Sequence, residues 1–378
     1  MIEGARAAPG GVRVEVHPWT AWPRWSATWA ELAQVTAPRA GFFLGPHWIE
    51  TWIQIFGPQL QPRILVFHRD GGAAGICLIV SRRERRGPVP VRRLYLNAAG
   101  EDEADETCLE YNRLLCRPED RPAVVTALGA WLARESWDEF AAFALAEAIV
   151  PEALSACRLE RSEKNSCFVD LTAFPATLDG FLAVLSRNSR EQIRRSLKLY
   201  RQSGEIALQA AATVDEGHAF LDQLGALHQT SWAARGQPGV FSSARFMAFH
   251  RALVARALPA GNVLLLRVAV GASPIGLLYG FREAGSFFFY QSGLSPSSDN
   301  RMKPGLVAHA CAIAHCAAAG LKEYDFLAGE SQYKRSLSTG TRSLTWLLWR
   351  RRGLRLAAID LLRGARQRLR RLRGAAAS

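Results

Sequence analysis

At 378 residues, with 49% hydrophobic and 21% charged residues, the chain is globular rather than disordered and has room for two domains of ~100–200 residues each. Its seven cysteines (Cys77, Cys108, Cys116, Cys157, Cys167, Cys311 and Cys316) include no pair at the two-residue spacing of zinc ribbons and redox motifs, which argues against a metal and for free thiols in a reducing compartment. The net charge of +13 is concentrated in residues 350–378, where ten arginines stand against one acid, Asp360.

No basic segment leads into an apolar one at the amino terminus, and no run reaches the ~18 apolar residues of a membrane span. The expected location is the cytoplasm. Alternation over residues 12–16 predicts a strand, and Trp19, Trp22, Trp25 and Trp29 then fall on one face of a helix, a spacing that fits core packing. A short helix over 46–56 presents Trp48, Trp52 and Phe56. Strands follow at 62–68 and 73–82 around the turn signal Gly71-Gly72, with another at 91–97, a helix at 120–135 and a strand at 138–145.

The second half repeats this grammar. Helices are predicted over 177–202, over 215–232 with Asp215 as its cap, and over 243–257. Strands at 262–270, 274–283 and 286–294 are separated by Gly271 and Gly285. A small-residue helix at 305–319 stops at Gly320; a strand at 323–328, a helix at 331–337 and a strand at 342–351 complete the body. The fold class is α/β (α+β), and the expected division is 1–170, 171–349 and a basic tail, 350–378.

Five segments carry candidate chemistry, each with a plainer alternative. Asn300-Arg-Met-Lys-Pro-Gly305 opens a helix whose free amides and dipole suit a pyrophosphate, with Arg301 and Lys303 adding charge and Gly305 allowing close approach; it also reads as an ordinary helix start. In residues 323–334, Asp325, Glu330, Tyr333 and Lys334 gather ionisable groups at a strand's carboxyl end, or Asp325 simply pairs with Lys334 or Arg335. His228, with Trp232 and Arg235, is a base candidate or a structural histidine. Helix 186–201 carries Arg190 and Arg194 in a basic face, either solvated or facing an anion such as a glycan phosphate or RNA. In the tail, leucines fall on one helical side with arginines opposite, a pattern that lies on an anionic leaflet or docks on the protein. No helix-turn-helix or zinc spacing supports DNA binding.

Taken together, Ser186-Arg-Asn-Ser-Arg190, Ile193-Arg-Arg195, Gly204, His228 with Trp232, Arg235-Gly236, Phe289-Tyr290, Gly293, Pro304-Gly305, Tyr324-Asp-Phe326, Gly329 and Tyr333-Lys334 resemble the acetyltransferase domain of the CelD/BcsL-like proteins. That is a GNAT branch linked to polysaccharide synthesis and related to the FemAB-type transferases. The resemblance implies tandem GNAT-like domains, each a mixed, largely antiparallel sheet flanked by helices. It further implies transfer of an acyl group, acetyl in the first instance, from acyl-CoA to an amine or hydroxyl of a sugar or envelope precursor, without a metal.

In that fold two strands, here 286–294 and 323–328, part to admit the donor, and a free N–H at a Ser292-Gly293 bulge polarises the thioester. Arg301, Lys303, Pro304, Gly305 and Leu306 would hold the cofactor, and Trp232, Arg235, Arg190 and Arg194 the acceptor. His228, Asp325 or Glu330 would act as base and Tyr290 or Tyr333 as acid, with Lys334 beside them. The alternatives are aminoacyl transfer from charged tRNA and a non-catalytic scaffold.

Overall fold

A computed structural model describes residues 11–36 and 41–353, so the predicted tail helix, beyond residue 353, lies outside the described residues. The first half runs β1 (Arg13–Pro18), α1 (Trp22–Thr36), α2 (Pro46–Leu60), β2 (Arg63–Arg69), β3 (Gly72–Arg86), β4 (Val89–Leu96), β5 (Leu115–Cys116), α3 (Arg121–Arg134), β6 (Glu139–Leu145) and β7 (Arg158–Asp170). The second runs α4 (Leu178–Val184), α5 (Arg187–Arg201), β8 (Ile206–Ala210), α6 (Val214–Ala233), α7 (Ala244–Ala257), β9 (Val263–Val270), β10 (Ser273–Glu283), β11 (Ser286–Leu294), α8 (Pro304–Ala318), β12 (Glu323–Ala328), α9 (Gln332–Leu337) and β13 (Gly340–Arg350). Apart from the short β5 and α9, the same order follows from β1 and from β8: strand, two helices, three strands, helix, strand, closing strand.

The strands form one sheet in the order β1-β2-β3-β4-β6-β13-β7-β12-β11-β10-β9-β8, with β5 on β3. Two neighbours are parallel, β4 with β6 and β11 with β12, and they occupy equivalent positions in the two halves. The closing strands change places: β13 pairs with β6, while β7 pairs with β12, and β7 and β13 pair with each other along eleven positions from Arg158↔Arg350 to Phe168↔Gly340. On one face α1, α2, α6 and α7 share a single apolar core, in which Phe42 stacks on Phe281 at 4.2 Å and Trp48 meets Phe249 at 5.0 Å. Trp22, Trp25 and Trp29 are buried there, as their spacing predicted, with Trp29 Nε1 donating to the Leu44 carbonyl at 2.7 Å. On the other face α4, α5 and α8 cover the second half and α3 the first.

Three local predictions are corrected. Helix 177–202 is two helices: Leu185 and Ser186 are extended, and the Ser186 hydroxyl accepts from Ser189 N at 3.2 Å, so a new amino terminus begins inside the expected helix. The cap of α6 is Thr213 rather than Asp215, in a reciprocal box with Glu216. The third concerns missed strands: besides the short β5 and β8, the reading lacked β7, whose 158–165 stretch is charged and largely exposed on both sides. Its ladder partners, not an apolar face, make it a strand.

Candidate active site

β11 and β12 pair only where Ser286–Phe288 meets Glu323–Asp325; beyond that the ladder stops and the strands part. Two features turn β12 away. Asp325 accepts from Leu327 N at 2.7 Å, and Leu327 adopts a positive φ of 59°, while Ala328 is held in register with Ser166 of β7. The parting expected between these strands is thus present. The bulge is not at Ser292-Gly293. On β10, Tyr279 faces Gln291 and Gly280 faces Phe289, so Tyr290 is the extra residue, and a bulge leaves that residue out of the ladder. Gly293 is needed for close packing instead, since a Cβ there would lie 2.3 Å from the Leu224 carbonyl oxygen of α6. It lets the helix press backbone to backbone on the strand, with Ser292 beside it.

The ionisable groups predicted around this opening have distinct surroundings. Asp325 is fully buried and accepts from the Tyr111 hydroxyl, from Ser166 Oγ at 2.7 Å and from Leu327 N, with Arg342 Nη1 at 3.8 Å. Its oxygens are engaged by protein donors, so it ties β12 to β7, β13 and the first half rather than facing an acceptor as a base. Glu330 lies at the surface, bound to Asn165 Nδ2 at 2.6 Å and Arg335 at 2.8 Å. Lys334 donates to the Leu327 and Ala328 carbonyls at 3.2 and 3.1 Å; burial depresses its pKa, and the Glu110 and Asp325 charges oppose that. Tyr333 stacks on His309 at 5.3 Å and is pushed up to about 12 by burial. Tyr290 is half-buried, donates to the Thr107 carbonyl at 2.7 Å, and burial raises it well above the ordinary phenol range.

His228 is buried on α6 between Trp232, stacked at 5.6 Å, and Phe241, edge-on at 5.0 Å. Burial lowers its pKa, the neighbouring Gln229 side chain opposes this, and the Arg235 charge adds to it, so the ring is held neutral. It sits in the helix–loop packing rather than on the opening.

At the other end of β11, Pro304 is the first residue of α8, and Lys303 before it has no side-chain cap. Lys303 N donates to Ser196 Oγ of α5 at 2.9 Å, which seats the basic helix against the start of α8. The amides of Gly305 and Leu306 precede the first intrahelical bond, Val307 N to the Lys303 carbonyl. Beside them a cleft of about 410 Å³ is lined by Thr230, Arg235, Leu294, Ser297, Asn300 and Pro304. Arg301 is exposed and folds back on Asp299 at 2.7 Å, and that contact pulls the Asp299 carboxyl down to about 2. It braces its own turn. Arg190 reaches the Ala183 carbonyl at 3.4 Å, closing α4, whereas Arg194 is exposed on α5.

A cavity of about 700 Å³ lies apart from the segments singled out in the sequence. It is built mainly by residues 98–112 after β4, with Tyr95, Phe143 of β6, Lys164 of β7 and Trp346 of β13, and it ends at Ala328-Gly329. Asn97, at φ 64°, anchors this loop by donating to Asn112 Oδ1 and the Arg113 carbonyl, both at 2.7 Å. Glu110 accepts from Ala328 N at 2.7 Å. Burial raises its pKa to about 7; that bond and the Lys334 and Lys164 charges pull it back, and the Asp325 charge adds to the rise. Glu101 is likewise raised to about 7 by burial, against hydrogen bonds from Thr107 and Trp52. The only trace in sequence is the acidic run Glu101-Asp-Glu-Ala-Asp-Glu106.

Parallel strands that part at a bulge, followed by a bare helix start, are the frame of the GNAT fold, and the first half repeats the same arrangement of strands. Residues 187–335 match the family described as an acetyltransferase (GNAT) domain; the match does not single out the CelD/BcsL-like branch. Among solved structures the chain is similar to FemX, at 10% identity over 85% of this chain and 95% of that one, with a TM-score of 0.55. It is also similar to the C-terminal domain of a putative lysylphosphatidylglycerol synthetase from Agrobacterium fabrum, at 10% identity over 90% and 96%, TM-score 0.52. At these identities the likeness is one of fold. No curated protein matches the chain in sequence. Among the described residues, no helix is long and apolar enough to cross a membrane.

Proposed function

We propose that the protein is an acyltransferase that takes an acyl group from acyl-CoA and passes it to a nucleophile at the opening between β11 and β12. The observation that carries this reading is the strand pair that opens beside a bulge at Tyr290, with the unpaired amides of α8 at one end and Glu110 at the other. The residues at α8 fit a diphosphate. Gly305 and Leu306 offer amides, the approach over Gly305 is limited only by Leu294 Cδ1 at 3.1 Å from an ideal Cβ, and Lys303 is exposed.

A backbone N–H freed by the bulge, at Tyr290 or its neighbour Gln291, would polarise the acyl carbonyl. Glu110, with a pKa near neutrality, replaces Asp325 and His228 as the base we favour. Tyr290 and Tyr333 stay protonated at neutral pH and can supply the leaving sulfur with its proton. Titration calorimetry tests the donor: acetyl-CoA should release heat with the wild type and not with Gly305→Glu, which puts bulk and negative charge at the helix start. Absence of heat with the folded wild type removes the donor assignment.

A second reading, aminoacyl transfer from charged tRNA, is favoured by the exposed face of α5, where Arg194, Arg195, Lys198 and Arg201 lie alongside the start of α8. It requires affinity for tRNA that falls steeply with salt and falls again when Arg194 and Lys198 are replaced by alanine.

A further inference from the structure

The β3–β4 hairpin outruns its neighbours. β2 pairs with β3 only as far as Ile79, and β6 meets β4 only from Arg93 onward. Residues 83–92 are therefore a two-stranded ribbon, with no third strand paired to it among the described residues. Register sorts its side chains onto two faces. Arg82, Glu84 and Arg86 alternate with Arg83 and Arg85 along β3, and Arg83 stands directly opposite Arg92 on β4.

On the first face every arginine is matched: Arg82 by Asp102, and Arg86 and Arg93 by the buried Glu139. On the second face, among the described residues, no acid pairs with Arg83, Arg85 or Arg92. Arg83 and Arg85 are exposed, and Arg92 donates only to Ser81 Oγ, at 3.0 Å. Like charges directly opposite one another on paired strands repel, and an anion laid over them removes that repulsion.

The cationic face runs on into the end of β13. Asp138 N donates to the Arg92 carbonyl at 2.9 Å, and the Asp138 carbonyl accepts from Arg351 N at 3.0 Å, so one residue joins the ribbon to Arg351. The Asp138 carboxylate accepts from the Arg92 backbone amide at 2.8 Å. Arg351 donates to the Leu132 and Ala133 carbonyls at the end of α3, and Arg352 is exposed. Aliphatic groups lie among these charges. Pro88 and Pro90 are exposed at the ribbon's tip, and Leu159, opposite Trp349 on β13, is 38% exposed. From Gly353 the sequence continues into 25 residues that hold seven arginines and one acid, Asp360.

We infer that this face, the outer side of the β3–β4 ribbon with the end of β13, docks on a membrane leaflet rich in anionic lipid. Guanidinium groups pair with lipid phosphates, while proline and leucine reach the acyl boundary beneath them. A nucleic acid fits less well. Bases stack on exposed aromatic rings, whereas Trp137 and Trp349, the rings beside Arg351 and Leu159, are buried. The ribbon's matched face supplies Arg82, Glu84 and Arg93 to the wall of the 700 Å³ cavity, so docking on the outer face would hold that cavity beside the leaflet.

Sedimentation of the full chain with lipid vesicles tests the surface. Vesicles of phosphatidylcholine and phosphatidylglycerol, mixed two to one, should carry the protein down at low salt, and phosphatidylcholine alone should not. Arg83→Ala combined with Arg85→Ala should weaken partitioning about twentyfold. Arg194→Ala combined with Lys198→Ala removes the same charge from α5 and should leave partitioning within about twofold of wild type. The inference is overturned if the folded wild type ignores the mixed vesicles, if the two double variants lose affinity equally, or if the ribbon variant binds vesicles like wild type. Should that variant instead lose affinity for tRNA with vesicle binding unchanged, the surface belongs to nucleic acid.

Discussion

Two carboxylates near the opening look alike in sequence and differ in what surrounds them. Asp325 is buried among the donors of Tyr111, Ser166 and Leu327, so removing it strands several polar groups at once. Asp325→Ala should cost about 3–5 kcal/mol in urea unfolding. Glu110 shares one hydrogen bond with Ala328 N and faces the cavity. Glu110→Gln should leave the fold intact and lower kcat by ~10²–10⁴-fold. The pH dependence follows from the raised pKa. A base must be ionised, so wild-type activity should rise with pH through about 7, and Glu110→Gln should lose that limb. Stability runs oppositely: a carboxyl held above 4.5 favours its protonated form, a contribution complete below 4.5 and lost as pH rises through about 7. The variant should therefore gain stability relative to wild type above that pH. A flat activity profile in the wild type would remove Glu110 as the base.

Among the elements, what could be read in advance had a local cause. The tryptophan spacing of α1, the hairpin glycines Gly71 and Gly271, and the small residues of α8 each act within a few positions, and these elements stand where they were expected. The break at Leu185-Ser186 was also local, but a serine mid-helix is common and its capping bond shows only in the folded chain. β7 had no local cause, since its charged 158–165 stretch becomes a strand only when β13, some 180 positions away, lies beside it. The same distance hid the cavity, whose acidic loop meets Lys164, Ala328 and Trp346 only after the sheet closes.

Gly293 illustrates the reverse case, a residue noticed for one reason and required for another. It was expected to supply a bulge; it supplies contact with α6. Gly293→Ala sets a methyl against a backbone oxygen that cannot rotate away, and should destabilise by about 1–3 kcal/mol, measured as a shift in the urea midpoint. An unchanged midpoint would show that α6 is free to retreat from the strand.

At the scale of the whole molecule, the exchanged closing strands decide how the two halves depend on each other. β6 gains its outer neighbour from the last strand of the chain, and β12 gains its own from the end of the first half. The buried Glu139 of β6 accepts from Arg86 and Arg93 of the first half and also meets Arg350 of β13 at 3.2 Å, so a charge in one half is matched by the other. The helices on one face share a core, with Phe42 on Phe281 and Trp48 on Phe249. Separating the halves would bare two central strand edges and that common apolar surface, and neither half retains a covering for them. The chain should therefore unfold in calorimetry as a single transition with equal calorimetric and van't Hoff enthalpies. Ending the chain after residue 339 should abolish folded protein rather than leave an intact first half. Two resolved transitions, or a stably folded product from the shortened chain, would mean that the exchanged strands only decorate two independent domains. The 700 Å³ cavity, with walls from β4, β6, β7, β12 and β13, requires the cooperative alternative.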